Sequence, residues 1–161
     1  MKKSVQTLRI VLLTLLLVSL SACGGSKVDW DLTISGAVGN PLTLSYSELT
    51  DMPQTELSEI LMEKSMGEDE VTSWSGVALS EIFERAEVDP DYGSVTATAA
   101  DGYAIEISKD ELQGAIVALK RGDEWITDMP EEEGKGPIRL VCPETPANRW
   151  VFQLQEIQVN K

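Results

Sequence analysis

The chain has 161 residues, with 27 acidic residues against 13 lysines and arginines and a formal net charge of −14. A field of that sign repels nucleic acid and anionic lipid surfaces, so binding through a basic surface is excluded. The sequence contains no histidine. Ser-His-Asp and Cys-His catalysis are therefore excluded, and the commonest protein ligand for metals is missing.

The N-terminal segment has the pattern of an export signal. Basic residues within Met1–Arg9 precede the apolar run Ile10–Leu20, whose eleven residues are too few to span a bilayer. The tetrad Leu20-Ser-Ala-Cys23 resembles the lipobox of bacterial lipoproteins. This resemblance implies that Cys23 is diacylated and becomes the mature N-terminus. An ordinary signal peptide with an incidental cysteine is the alternative.

These signals divide the chain into three parts. We expect a signal peptide over residues 1–22, a lipidated cysteine with a flexible tether over residues 23–27, and one folded domain over residues 28–161. With Cys23 acylated, Cys142 has no disulfide partner, and its place beside an apolar run predicts a buried thiol. The protein is then expected to be exported and held by lipid at the cell envelope, on the periplasmic face of an outer membrane or the outer face of a plasma membrane.

The first half of the domain predicts short strands and a short helix. Alternating apolar residues between Val28 and Leu44 predict two strands separated by a turn. Ser45 and Glu48 have capping-box spacing, which predicts a helix directly after Ser45. Imperfect alternation from Thr55 to Met62 predicts a further strand, and the acidic composition of residues 65–73 predicts a loop.

The middle of the domain predicts a second helix and a hairpin. Trp74-Ser-Gly-Val77 is expected to lead into this helix, because apolar residues recur at helical spacing from Leu79 to Ala86. Two strands are then predicted, Ser94 to Ala99 and Tyr103 to Ile107. The Asp-Gly pair between them is a strong hairpin signal.

The remaining elements are predicted to be short. Ser108 and Glu111 repeat the capping-box spacing and predict one more helix. Ala115 to Leu119 is apolar, and a return strand is expected to begin at Trp125. Strands outnumber helices, so the predicted fold class is α+β, with mixed or antiparallel sheets and short helices laid against them.

The C-terminal stretch holds the best candidate binding site. Arg139 lies at an alternate position of an apolar strand, so its charge needs a partner from the fold or from a ligand. A polar turn then presents Arg149 and Trp150 side by side. An indole face with planar guanidinium donors suits a flat, polar or anionic ligand, although a core role is the alternative for each aromatic residue. The further candidates for the pocket walls are Trp74, Asp101 and Tyr103.

The order of these motifs resembles that of a known family. Three motifs occur in the same order as in the oxidoreductase molybdopterin-binding domain, which has the sulfite-oxidase-like fold. They are Trp74-Ser-Gly-Val-Ala-Leu79, Ala100-Asp-Gly-Tyr103 and Gly136-Pro-Ile-Arg-Leu-Val-Cys-Pro143. The resemblance extends over Val28 to Val159. It implies a domain that holds a pterin.

One departure from this family bears on activity. Enzymes with this fold hold molybdenum through one cysteine, which lies between the early strand and the Trp-x-Gly-Val motif. In this chain that interval, Leu57 to Ser73, contains no cysteine. The chain is more similar to small exported members without the cysteine, the periplasmic pterin-binding proteins that report ligand status to membrane cyclic-di-GMP enzymes. The segment Asn148 to Val151 and the export signal suit that branch.

The sequence thus predicts a lipid-anchored, non-catalytic binding protein for a pterin or similar planar heterocycle, with no metal. Trp150 is expected to stack on the ligand, and Arg149 and Arg139 to make polar contacts. A membrane signalling or redox protein is the expected partner, and nucleic acid is not. Two alternatives stay open. One is a molybdenum or tungsten oxidoreductase with an altered metal ligand, and the other is an interaction module whose acidic surface docks a protein.

Overall fold

The computed structural model describes residues 28–130, 133 and 135–161. The expected signal peptide, lipidated cysteine and tether lie outside the described residues. Within the described part of the chain, no helix is both long and apolar enough to cross a membrane.

The described residues form two β-sheets with short helices, which confirms the predicted α+β class. In chain order the strands are β1 (Asp31–Gly36), β2 (Leu42–Ser45), β3 (Gln54–Met62), β4 (Glu70–Ala78), β5 (Ser94–Ala99), β6 (Ala104–Ser108), β7 (Ile116–Arg121), β8 (Glu124–Trp125), β9 (Arg139–Val141), β10 (Val151–Phe152) and β11 (Leu154–Asn160). The α-helices are α1 (Tyr46–Asp51) and α2 (Leu79–Arg85). Single 3-10 turns cover Asp110–Leu112, Ile126–Asp128 and Ala147–Arg149.

The first sheet joins the two ends of the domain. Its strand order is β2-β1-β11-β5-β6, and β1 runs parallel to the C-terminal strand β11 while the other pairs are antiparallel. The hairpin of β5 and β6 confirms the prediction from Asp101-Gly102, where Gly102 has a φ of +86°. The helix predicted after Ser45 is also confirmed, because Ser45 and Glu48 form a complete capping box.

The second sheet is antiparallel and holds two of the three motifs, the one that begins at Trp74 and the one that begins at Gly136. Its order is β10-β9-β7-β4-β3, with the short β8 paired to β7. Gly76 lets β4 approach β7 closely, because a Cβ at this position would overlap the carbonyl oxygen of Val117 and lie 2.6 Å from the Ala118 Cα. Buried apolar side chains of both sheets belong to one core cluster, which includes Cys142 as predicted.

The strands β3 and β4 extend past the end of β7 as a two-stranded arm, Ile60–Thr72. Pairing between β4 and β7 reaches from Ala78 only to Trp74, whereas pairing between β3 and β4 continues to Met62 and Glu70. The backbone N–H of Ala147 donates to the carbonyl oxygen of Glu63 at 2.9 Å and ties the arm to the turn before β10.

The start of β4 corrects the sequence prediction for this region. Glu70–Ala78 is one strand, so the acidic loop ends at Asp69, and Trp74 lies within the sheet instead of in a lead-in to the helix. The strand has hydrogen-bonded neighbours on both sides along part of its length, and this pairing outweighs the acidic local composition.

Two later predictions were also wrong in detail. The N–H of Ser108 donates to Glu111 Oε2 at 2.9 Å, but only a 3-10 turn forms there, since the chain turns away at Gly114 with a φ of +68°. The return strand from Trp125 is the two-residue β8, which gives way to a 3-10 turn.

Candidate functional site

Strand β9 buries Arg139 between two aromatic rings. The residue is 3% exposed, and its guanidinium carbon lies 3.8 Å from the Phe152 ring centroid and 4.5 Å from the Trp74 ring centroid. Strand pairing explains the arrangement, because Phe152 on β10 is directly opposite Arg139. Burial lowers the pKa of Arg139 to about 9, with a further contribution from the charge of Arg121, so the group stays protonated at neutral pH.

A cleft lined by several cationic side chains lies next to Arg139 and its two aromatic rings, an arrangement that we call the ring sandwich. The cleft has a volume of about 410 Å³, and its cationic lining residues are Lys64, Arg121, Lys135 and Arg139. Glu70 and Glu133 also line it, so among the described lining residues cationic side chains exceed anionic ones by two, in a chain whose net charge is −14. This part of the structure can therefore attract a small anion into an otherwise acidic molecule.

Glu70 organises one side of this cleft. Its carboxylate accepts from Lys64 Nζ at 2.9 Å and from Arg121 Nη2 at 2.5 Å. The hydrogen bond from Lys64 is the main cause of the lowered pKa of Glu70, with a further contribution from the charge of Arg121. Both cations are thus held at fixed positions on the wall of the cleft.

A second cavity of about 480 Å³ adjoins the first. The two share Lys135, Ala147, Asn148 and Phe152 as lining residues. Asp101 and Tyr103 line only the second cavity, where the Asp101 carboxylate accepts from the backbone N–H of Tyr103 at 2.9 Å and the Tyr103 side chain is 49% exposed. The combined space, which we call the double cleft, has cations at one end and an exposed phenol with a carboxylate at the other.

The structure brings together only some of the residues proposed from the sequence. Asp101, Tyr103 and Trp150 line one cavity and Arg139 lines the other. Trp150 is nevertheless 2% exposed, its indole N–H donates to the carbonyl oxygen of Cys142 at 2.8 Å, and its ring meets Trp74 edge-on. The predicted stacking role of Trp150 stays a prediction, and this burial does not favour it.

Trp74 and Arg149 do not line either cavity. Trp74 is 1% exposed and donates its indole N–H to Thr72 Oγ1 at 2.8 Å, so it supports Arg139 from the core side. Arg149 binds both carboxylate oxygens of Glu111 at 2.9 Å and the carbonyl oxygen of Glu106 at 2.9 Å. A ligand contact by Arg149 would require this bidentate pair to open.

The pair of Arg149 and Glu111 links the two sheets. Glu111 follows β6 of the first sheet, and Arg149 precedes β10 of the second. Arg149 is the main cause that lowers the pKa of Glu111 to about 2, and the backbone and hydroxyl of Ser108 add to it. This contact is a structural tie, because its charges satisfy each other.

Sequence reasoning missed Phe152, Lys135 and the two cations on the arm side, Lys64 and Arg121. Phe152 lies on β10, whose two residues are too few to show a period in the sequence. The lysines and Arg121 stand in loops or at a strand end among acidic residues, where sequence shows no periodicity.

The described residues do not provide a thiolate to the double cleft. The interval implied by the family resemblance forms the arm, and Met62, Lys64, Ser65 and Met66 are the arm residues that line the cleft with Glu70. Cys142 is fully buried, and burial raises the pKa of its thiol to about 12. No group of three or more metal-ligating side chains occurs within the described residues.

Comparison with known proteins agrees with this geometry. The family model described as the oxidoreductase molybdopterin binding domain matches residues 24–161. Among solved structures, the sulfane dehydrogenase SoxCD from Paracoccus pantotrophus is similar, with a TM-score of 0.72 and 22% identity over 84% of this chain. The matched region is 39% of that chain, and the likeness at this identity concerns the fold. A comparison with curated proteins finds no match. The motif order, the fold and the family model together show that the chain belongs to the oxidoreductase molybdopterin-binding domain family.

Proposed function

We propose that this protein is a lipid-anchored, extracytoplasmic and non-catalytic binding protein for a pterin or similar planar heterocycle that carries an anionic group. The observation that carries the proposal is the double cleft, in which a buried, charged Arg139 and three further cations face one end of a space walled by Tyr103 and Asp101 at the other. Membership of a molybdopterin-binding family supports the pterin as ligand class.

Each end of the double cleft suits one part of such a ligand. The exposed phenol of Tyr103 can stack on the heterocycle, and the carboxylate of Asp101 can accept from the amino edge of an aminopyrimidine. The cations at the other end suit a carboxylate or phosphate substituent. One stack contributes only about 1 kcal/mol beyond burial, while micromolar affinity needs about 8 kcal/mol. Several of these contacts must therefore act together.

Molybdopterin is itself an anionic pterin, and the double cleft fits that part of it. The metal that this group carries supplies oxidation–reduction chemistry when it is bound. The described residues offer the cleft no cysteine to hold the metal, so we assign them only the binding of the pterin and its anionic group.

The alternative is a molybdopterin-dependent oxidoreductase with an altered metal ligand, which the family membership favours. Metal analysis separates the two functions. Protein produced in a host that makes molybdopterin should contain pterin without stoichiometric molybdenum or tungsten. Stoichiometric metal would establish the alternative.

Binding itself is tested by titrating full-length protein with pterin-6-carboxylate and with unsubstituted pterin, using tryptophan fluorescence and calorimetry. We expect the carboxylate to bind more tightly, and we expect Tyr103→Ala to weaken both. Tyr92→Ala is the matched control, because Tyr92 contacts Phe83 and does not line the double cleft. Failure of both pterins to bind, or an equal loss in the control, would contradict the proposal.

The anchor and the partner are parts of the same proposal. Cys23 is the proposed lipid attachment site, and a membrane signalling or redox protein is the proposed recipient of the signal. In cells, Cys23→Ser should move the protein from the membrane fraction to the soluble fraction. Unchanged fractionation would argue against lipidation at Cys23.

A further inference from the structure

The arm carries most of the strongly exposed apolar side chains of the described chain. Within the described residues, four large hydrophobic side chains are strongly exposed, and three of them, Leu61, Met66 and Val71, lie on the arm. Tyr103 and Met66 line the double cleft, whereas Leu61 and Val71 line neither of its cavities. Single exposed hydrophobic residues are common, but two adjacent ones on one short hairpin form a patch that calls for an explanation.

Strand register places two of the three on one face. Leu61 and Val71 are directly opposite each other, 49% and 63% exposed. Side chains alternate between the two faces of a strand pair, and the next pair, Met62 and Glu70, lines the cleft. The arm therefore has an inner face that forms the cleft wall and an outer face that presents Leu61 and Val71 to solvent.

Charges near the patch define what can bind there. Four exposed carboxylates lie on the arm or next to it in sequence: Glu59, Glu63, Glu68 and Asp69. A second copy of this chain, with its net charge of −14, would bring like charge to this rim, and so would an anionic lipid surface. A surface with apolar side chains inside a ring of lysine and arginine complements both the patch and its rim.

We propose that the outer face of the arm is a docking surface for a basic partner protein. Leu61 and Val71 provide the apolar contact, and the rim of carboxylates steers and orients the partner. This inference does not depend on the ligand proposed for the double cleft, because the two use opposite faces of the arm.

Photo-crosslinking in producing cells tests the surface with the full-length chain. A photo-reactive amino acid is placed at position 61 or 71, and at the exposed position 158 of β11 as a matched strand control. We expect positions 61 and 71, but not 158, to capture the same basic protein. That protein is then purified and titrated against the full-length chain at low and high salt.

The affinity of the purified partner for variants of the arm tests whether the outer face is the docking surface. The double variant Leu61→Ser, Val71→Ser should weaken it at least tenfold, higher salt should weaken wild-type binding, and Gln158→Ser should have no effect. Glu63→Gln with Glu68→Gln should reduce the salt dependence, which provides a second measurement if the serine variant does not fold. The proposal would be overturned if the crosslinker captured no partner, or if it captured an acidic protein, a lipid or a second copy of this chain. An affinity that these variants leave unchanged would also overturn it.

Discussion

Arg139 and Arg149 come from one C-terminal stretch, but the fold handles their charges differently. The carboxylate of Glu111 binds Arg149 through both of its oxygens, and the pair joins the two sheets. Arg139 instead lies between the faces of Trp74 and Phe152 at the edge of the cationic cleft. A bidentate carboxylate fixes a guanidinium and balances its charge, whereas stacked ring faces stabilise the cation through its flat surface.

The difference shows how an acidic protein can attract an anionic ligand. Positive potential is strongest where cations cluster, and the described lining of the cleft brings Arg139 together with Lys64, Arg121 and Lys135, while the two rings shield Arg139 from water. Arg149 is the better exposed of the two, yet its charge is already balanced. Exposure alone is therefore a poor guide to which arginine serves the ligand.

The largest expected effect comes from opening the sheet under the sandwich. In Gly76→Ala the new Cβ would overlap the backbone of Val117 and Ala118, so β4 must move from β7 and carry Trp74 with it. We expect the free energy of unfolding to fall by about 3 kcal/mol or more, measured by urea denaturation. Gly102→Ala is the control, because it has a positive φ but open space around it, and should cost only about 1 kcal/mol. Equal losses would contradict the close approach described for Gly76.

Replacing each arginine by methionine tests the comparison directly. Methionine fills the slot between the rings, so Arg139→Met should leave the free energy of unfolding within about 1 kcal/mol of wild type, since the removed desolvation cost offsets the lost contacts of the guanidinium. Binding of pterin-6-carboxylate should weaken about thirtyfold, or about 2 kcal/mol, because a charged contact is lost. A stable variant that binds pterin-6-carboxylate as tightly as wild type would show that Arg139 does not contribute to ligand binding.

Arg149→Met should have the opposite profile. Glu111 loses its bidentate partner, and we expect the free energy of unfolding to fall by about 1 to 2 kcal/mol, a moderate value because both side chains are partly exposed. Pterin binding should be unchanged, since Arg149 does not line the double cleft. Weaker binding with unchanged stability would instead support the role predicted for Arg149 from the sequence.

These two profiles mark the limit of what the sequence could predict. Local signals sufficed for the capping box at Ser45 and the Asp-Gly hairpin, because the interacting residues are neighbours in the chain. The roles of Arg139 and Arg149 depend on partners far along the chain. Glu111 is 38 residues from Arg149, and its capping-box spacing with Ser108 does not indicate a contact with Arg149.

Phe152 and β4 show the same limitation. The ring of Phe152 matters because strand pairing places it opposite Arg139, and a two-residue strand has no recognisable period. The first residues of β4 lie in an acidic run whose composition is typical of a loop, and only pairing with β3 makes them a strand. The family resemblance supplied the fold, but it did not indicate which arginine faces the cleft.

The tie between the sheets should also appear in the pH dependence of stability. The pKa of Glu111 is about 2 in the folded protein and near its ordinary value, about 4.3, in the unfolded chain. The contribution of the pair is thus fully present above pH 4.3 and is lost as the pH falls toward 2. The stability difference between wild type and Arg149→Met, from denaturation at several pH values, should shrink over this window. A difference that stays constant from pH 7 to pH 2 would show that the carboxylate of Glu111 is not its source.

The smallest effect distinguishes two lysines that each lie over an aromatic ring. Lys135 Nζ is 5.1 Å from the Phe152 ring centroid, and Lys120 Nζ is 4.4 Å from that of Trp125. Exposed contacts of this kind are worth about 0.5 to 1 kcal/mol, so Lys135→Ala and Lys120→Ala should change the free energy of unfolding by similar, small amounts. Only Lys135 lines the double cleft, so Lys135→Ala alone should weaken pterin-6-carboxylate, by a factor of about 3 to 5. Calorimetric titrations of both variants would measure this difference, and equal affinities would mean that the potential of the cleft comes from Arg139 and the arm-side cations without Lys135.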